Sequence, residues 1–152
     1  MNRASSLAHI PTGEDRLSLT ATFSHFAPGT LFDYWTIPAL LQRWWPQEAT
    51  IDLRVGGTYH LAWPAMDWHL RGTYTDVRRG EGLAFTWHWD HEADAPVTTV
   101  ELRITPLAPE GSQLVLIHGE FAASEVGQRT RQEHLEGWMH FLARLQSVQP
   151  PA

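Results

Sequence analysis

Apolar and polar positions along this chain change rhythm three times. Leu17, Leu19, Ala21 and Phe23 alternate with Ser18, Thr20 and Thr22, the period-two signature of a half-buried strand. The rhythm turns helical over Pro28–Gly29–Thr30–Leu31–Phe32–Asp33–Tyr34–Trp35 and again over Pro38–Ala39–Leu40–Leu41–Gln42–Arg43–Trp44–Trp45. A proline opens each stretch, where its missing N–H is no loss, and Pro46 stops the second. Thr36 is placed to cap that second helix. Period two then returns in Thr50–Val55, which ends at the Gly56–Gly57 turn, and in Thr58–Trp63, Trp68–Val77 and Gly82–Trp89. It continues in Thr98–Leu107 and Ser112–Phe121. Arg78–Arg79–Gly80–Glu81 reads as a hairpin turn and Asp90–Pro96 as an acidic loop. Strands succeeding one another at this spacing form an antiparallel meander.

The third rhythm closes the chain. Leu135, Trp138, Leu142 and Leu145 recur at three- and four-residue spacing, with Phe141 and Val148 widening the stripe. This predicts one amphipathic helix over Glu125–Val148. Ser124 is its expected N-cap, with Glu125 at the positive end of the helix dipole and Arg144 at the negative end. Its stripe needs a large apolar partner, and the curved sheet is the one available. The expected fold class is therefore α+β, a curved antiparallel sheet wrapped around a long C-terminal helix, with two short helices after strand one. A concavity between sheet and helix is where a small apolar ligand would sit. Gly137 interrupts the helix, where glycine costs about 1 kcal/mol against alanine. Either a close approach of another element or room left beside Trp138 would account for it. A close contact is the expectation, so that Gly137→Leu would overpack. Residues 1–15 lack periodicity and are expected to form a flexible tail, leaving 16–148 as a single domain.

Composition narrows the function. The net charge is −6 and the 11 Lys and Arg are scattered, so no basic stripe exists to displace counterions from a nucleic acid. No cysteine is present, which excludes disulfides, thiol chemistry and Cys-ligated zinc. No apolar run reaches the ~20 residues of a membrane helix, and the N-terminus does not resemble a secretory signal. A cytoplasmic protein is expected. Eight tryptophans in 152 residues are the feature to follow, because tryptophan builds ligand walls as readily as cores.

Tyr59, Trp63, Phe85, Trp87 and Trp138 are expected on the concave side, as plain core or as the wall of a hydrophobic pocket. Trp44 and Trp45 lie about 100° apart on a helix, so one is expected to roof the opening while the other packs against it. His118 shares a strand face with Leu114 and Leu116. It is either a satisfied core histidine, bonded to backbone, to Glu133 or Glu136, or to a hydroxyl, or a polar anchor for a ligand. The candidate ligand-binding set is Trp44, Tyr59, Trp63, Phe85, Trp87, His118, Trp138 and Leu142. His88–Trp89–Asp90–His91–Glu92 is the densest group of metal-ligating types, but the strand is ending there and its side chains need not converge. No HExxH, G-x-S-x-G or glycine-rich phosphate loop occurs. Asp67 and Asp76 lack an identifiable partner as bases. No metal, cofactor or catalytic residue is assigned.

Several blocks carry a family resemblance. Phe26–Ala27–Pro28, Leu31–Phe32–Asp33–Tyr34–Trp35–Thr36, Pro38 and Leu41–Gln42–Arg43–Trp44–Trp45 resemble the opening signature of the heat-shock-protein-90 ATPase activator homologue family. Asp52–Leu53–Arg54–Val55–Gly56–Gly57–Thr58–Tyr59 and Leu83–Ala84–Phe85–Thr86–Trp87 resemble its next two blocks, and Leu114–Val115–Leu116–Ile117–His118 and His134–Leu135–Glu136–Gly137–Trp138 its last two. The five run in order from about Leu17 to Val148. The resemblance implies the START-like helix-grip fold shared with polyketide cyclases and the birch-pollen allergen. It implies the element order strand, two helices, six strands, long helix.

Three functions follow as expectations. The first is a binding protein for a small hydrophobic, aromatic or polyketide-like molecule, with no defined catalysis. The second is an enzyme on the same scaffold, cyclase-like or hydrolase-like, using His118 and a nearby carboxylate. The third is a stress- or chaperone-related protein-interaction module. A homodimer is compatible with all three.

Overall fold

The computed structural model describes residues 6–11 and 13–149. Its strands are β1 (Leu7–Ile10), β2 (Arg16–Phe23), β3 (Glu48–Ile51), β4 (Thr58–Trp63), β5 (Trp68–Arg78), β6 (Gly82–Trp89), β7 (Thr98–Leu107) and β8 (Gly111–Gly119). The helices are α1 (Pro28–Thr36), α2 (Pro38–Leu41) and α3 (Glu125–Ser147). All eight strands join one sheet in the order β1-β2-β8-β7-β6-β5-β4-β3, and every pairing is antiparallel. The expected fold class and the succession of two short helices, six strands and a long helix are therefore both present.

Registers carry the inward rows across the sheet. Leu17 pairs with His118 and His118 with Val100, while Leu19 pairs with Leu116 and Leu116 with Leu102. Because side chains alternate at period two, these pairings put one apolar set on a single face. α3 covers that face, burying Trp138, Leu142 and Leu145 completely and Leu135 in part. Ser124 caps it as expected, its hydroxyl accepting from the Gly127 amide at 3.1 Å.

Several local expectations are corrected. Inside the stretch read as a tail, Leu7–Ile10 pair with Ala21–Ser18 as an edge strand; residues 1–5 and 12 of that stretch lie outside the described residues. The second helix is a single turn ending at Leu41, and Trp44 and Trp45 sit on the turn that follows. Its N-cap is Ile37, without a side-chain bond, because the Thr36 hydroxyl donates back to the Phe32 carbonyl inside α1. β3 starts earlier than Thr50 and ends at Ile51, because a turn takes over at Asp52, with Arg54 N–H bonding to Asp52 O and Gly57 N–H to Arg54 O.

Two glycines are required by geometry. Gly80 turns the β5–β6 hairpin with φ at 74°, a region glycine enters without a Cβ penalty. Gly72, on the inner face of β5, lies under Tyr59, whose hydroxyl donates to the Thr86 carbonyl. A Cβ there would fall 2.0 Å from that carbonyl oxygen and 2.5 Å from the Tyr59 ring.

Candidate functional site

One end of the groove between sheet and helix stays open. β4, β5 and β6 end there in Trp63, Trp68, Trp87 and Trp89, and the turn after α2 adds Trp45. α3 closes the opposite side with His134, Gly137, Trp138, Phe141 and Arg144, which share one side of the helix. The resulting cleft has a volume of about 610 Å³, within the range of small-molecule sites. Trp68 (41% exposed) and Met66 (49% exposed) stand at its mouth.

The walls are tryptophan packed on tryptophan. Trp45 stacks on Trp87 with ring centres 5.7 Å apart and planes 17° apart. Trp138 lies 5.2 Å from Trp45 and 5.3 Å from Trp87. Trp87 meets Trp89 edge-on at 5.7 Å. Such offset and edge-to-face contacts add to the burial term.

Two imidazoles, His134 beside the cleft and His118 behind it, take up the indole N–H groups. His134 sits one turn before Trp138 on α3. Its Nδ1 lies 2.7 Å from the Thr130 carbonyl, which can only accept, so Nδ1 carries the proton. Its Nε2 then accepts from both Trp87 Nε1 (3.2 Å) and Trp89 Nε1 (3.3 Å). His118 is fully buried on β8. Its Nδ1 accepts from Trp138 Nε1 at 3.1 Å, so its Nε2 holds the proton and donates to Thr98 Oγ1 at 2.8 Å. Burial first, and then the neighbouring His134, hold the His118 pKa well below the usual histidine range. His118 is thus a neutral core histidine satisfied by a hydroxyl and an indole.

The eight residues expected to bind ligand divide. Trp63, Trp87 and Trp138 meet at the cleft. His118 lies directly behind the last two, 4.9 Å from Trp87 ring to ring, without reaching the cleft. Tyr59 and Phe85 lie deeper, around a separate void of about 10 Å³. Trp44 is sealed in the core with its Nε1 donating to the Tyr34 carbonyl, and Leu142 is sealed beneath α3. Gly137 does not make the close contact expected of it. A Cβ there would meet nothing within 4 Å, because the residue faces the cleft. Room beside Trp138 is the explanation that holds.

The candidate set leaves out Trp68, Trp89 and His134, and of the adjacent pair, one expected to roof the opening, it takes Trp44 where Trp45 lines the cleft. Trp89 shares its alternation with Trp87, and His134 sits four residues before Trp138. Both signals are present in the sequence, but a stripe of apolar residues alone does not include His134. Among the described residues, no three His, Asp or Glu side chains come together to hold a metal ion. The acidic loop instead spends Asp90 on Arg71, at 3.1 Å, and stacks His91 on Trp68. No helix among the described residues is long and apolar enough to cross a membrane.

The family model described as Activator of Hsp90 ATPase homolog 1-like protein matches residues 25–149. The chain belongs to this family. No curated protein matches it. Among solved structures, protein MLL2253 from Mesorhizobium loti is 22% identical, with a TM-score of 0.74 over 86% of this chain and 93% of its own. An HSP90 activator from Plasmodium falciparum is 22% identical, with a TM-score of 0.70 over 87% of this chain and 94% of its own. DynU16, from the dynemicin biosynthetic locus, is 15% identical, with a TM-score of 0.74 over 87% of this chain and 46% of its own. These likenesses establish a shared fold between this family member and the three proteins.

Proposed function

We propose that the protein binds a small hydrophobic molecule with an aromatic, polyketide-like ring system in the tryptophan cleft, without catalysing a reaction on it. The observation that carries this reading is the cleft itself, about 610 Å³ in volume and walled by five indoles, with Trp68 at its mouth. Flat apolar walls suit flat apolar ligands, which lose hydration and gain ring contacts on entry. The arrangement of histidines favours binding over catalysis. Both nitrogens of His118 are engaged, and the same is true of His134. A general base needs a free nitrogen within reach of substrate. DynU16, which shares the fold, comes from a biosynthetic locus, and a small-molecule role here accords with that.

The test is titration of intrinsic tryptophan fluorescence with a panel of aromatic and polyketide-like compounds. Saturable quenching is expected, since any occupant touches Trp63, Trp87 or Trp138. Absence of saturable quenching across the panel would overturn the reading, and the protein-interaction role would take its place.

A further inference from the structure

Trp35 and Trp45 together point to a second, inner binding position. Trp35, on α1, is 3% exposed. Its Nε1 is the one buried side-chain nitrogen or oxygen among the described residues that lacks a hydrogen-bond partner. The other cleft and core indoles show what is normal in this protein. Trp44 Nε1 has the Tyr34 carbonyl, Trp87 and Trp89 have His134, and Trp138 has His118. A buried donor with no acceptor is a standing loss of stability, and such exceptions in native proteins call for a physical reason.

The place where Trp35 sits supplies one. Trp35 borders the inner void of about 10 Å³, together with Tyr59, Tyr74 and Phe85. Trp45 also borders this void, and Trp45 borders the open cleft as well. One indole therefore borders both spaces. Trp45 stands on the turn between α2 and β3 rather than within a regular element, so its side chain can move without unpairing the sheet. Its ring is 6.0 Å from that of Trp35.

We propose that Trp45 is a gate and that Trp35 Nε1 is the anchoring donor of an inner subsite, which receives a hydrogen-bond acceptor carried by the aromatic ligand. The ligand class is an aromatic ketone or quinone: a flat ring system with a carbonyl oxygen and no donor at that position. Indole N–H can only donate, so it selects a carbonyl over a hydrocarbon of the same shape. Swinging Trp45 aside joins void and cleft, and the carbonyl oxygen then meets the otherwise unused N–H. This rests on the cleft reading given above and adds to it the polar group that orients the ligand. No bond is made or broken.

A matched pair of probes tests it. 1-Acetylnaphthalene carries the carbonyl, and 1-ethylnaphthalene has nearly the same shape without it. Wild type is expected to bind the ketone more tightly. Trp35→Phe is expected to weaken the ketone about tenfold, the size of one buried hydrogen bond, and to leave the hydrocarbon unchanged. In nitrogen-15 spectra the indole N–H resonance missing from Trp35→Phe identifies Trp35, and in wild type that resonance is expected to shift on adding the ketone and not the hydrocarbon. This spectrum needs no variant to bind, so it decides the question even if Trp35→Phe binds neither probe. Trp45→Ala is expected to speed ketone association in stopped-flow mixing. Equal affinities for both probes in wild type, or an unmoved Trp35 resonance at saturating ketone, would overturn the inner subsite while leaving the cleft reading in place. An unchanged association rate in Trp45→Ala would overturn the gate. Failure of both probes to bind wild type would overturn the cleft reading and the subsite together.

Discussion

The two halves of the sheet's inner face are built from different residues and have different consequences. Under β2, β7 and β8 the interior is mainly aliphatic: Leu17, Leu19, Ala21, Val100, Leu102, Leu114 and Leu116 are all completely buried, with Phe23 and His118 as the two aromatic rings in these rows. Under β4, β5 and β6 it is aromatic, with Tyr59, Trp63, Tyr74, Phe85, Trp87 and Trp89 facing inward. The aliphatic half is sealed. The aromatic half holds both the void of about 10 Å³ and the cleft of about 610 Å³. Branched aliphatic chains interdigitate and fill space to crystal-like density. Large rigid rings meet at centroid distances of 5 to 6 Å and leave gaps between them. One helix spans both halves. The aliphatic half sets the fold, and the aromatic half keeps a cleft open.

The widest separation between the halves is expected on truncation. Leu116→Ala, in the sealed half, is expected to cost about 2–5 kcal/mol, since removed methyl groups leave a cavity that cannot collapse. Trp68→Ala, at the cleft mouth, is expected to cost far less because Trp68 is already 41% exposed. Urea melts of both variants measure the contrast, and equal losses would break it.

The next effect is local to the aromatic half. Gly72→Ala would push a methyl group into the Thr86 carbonyl and the Tyr59 ring, and overpacking of this kind costs about 1–3 kcal/mol. A thermal melt no lower than that of wild type would show that strands β5 and β6 can part more easily than their packing implies.

pH probes the seam where the two halves meet at His118. Its folded-state pKa is depressed by burial and by His134, so below the ordinary histidine value the unfolded chain binds a proton that the folded chain does not. Stability is therefore complete above about pH 6.5 and falls as the pH drops below it, by at most about 1.4 kcal/mol per pH unit from this group. His60 is lowered too, by partial desolvation and then by Arg71 and His69, and acts in the same direction. His118→Gln, with no titrating proton, is expected to flatten the fall measured in urea melts between pH 7 and 5.

Most of the scaffold was legible in the sequence because the sheet is half-buried. Thr58–Trp63, Gly82–Trp89 and Thr98–Leu107 alternate cleanly, and their bounds agree with the strands. β1 was not legible, because Leu7–Ile10 is a short edge strand with one half-buried residue and three exposed ones. It has no inward face to mark it. The site was legible where it follows a period, as at Trp63, Trp87 and Trp138. It was not legible at Trp45, because adjacent tryptophans on an irregular turn have no period that says which one faces the cleft. The inner position of Tyr59 and Phe85 depends on the tyrosine reaching across Gly72, a contact between three strands that alternation along one strand cannot reveal.

Gly137→Leu tests the central claim most directly. The position faces the cleft with nothing within 4 Å of a Cβ, so the leucine enters the site and not the core. Isothermal titration with 1-ethylnaphthalene, run beside a thermal melt, is expected to show binding lost while the melting temperature is unchanged or raised, since leucine improves on glycine in a helix by up to about 1 kcal/mol. Retained affinity in a stably folded Gly137→Leu protein would contradict the account, because a ligand that ignores a filled cleft does not bind there.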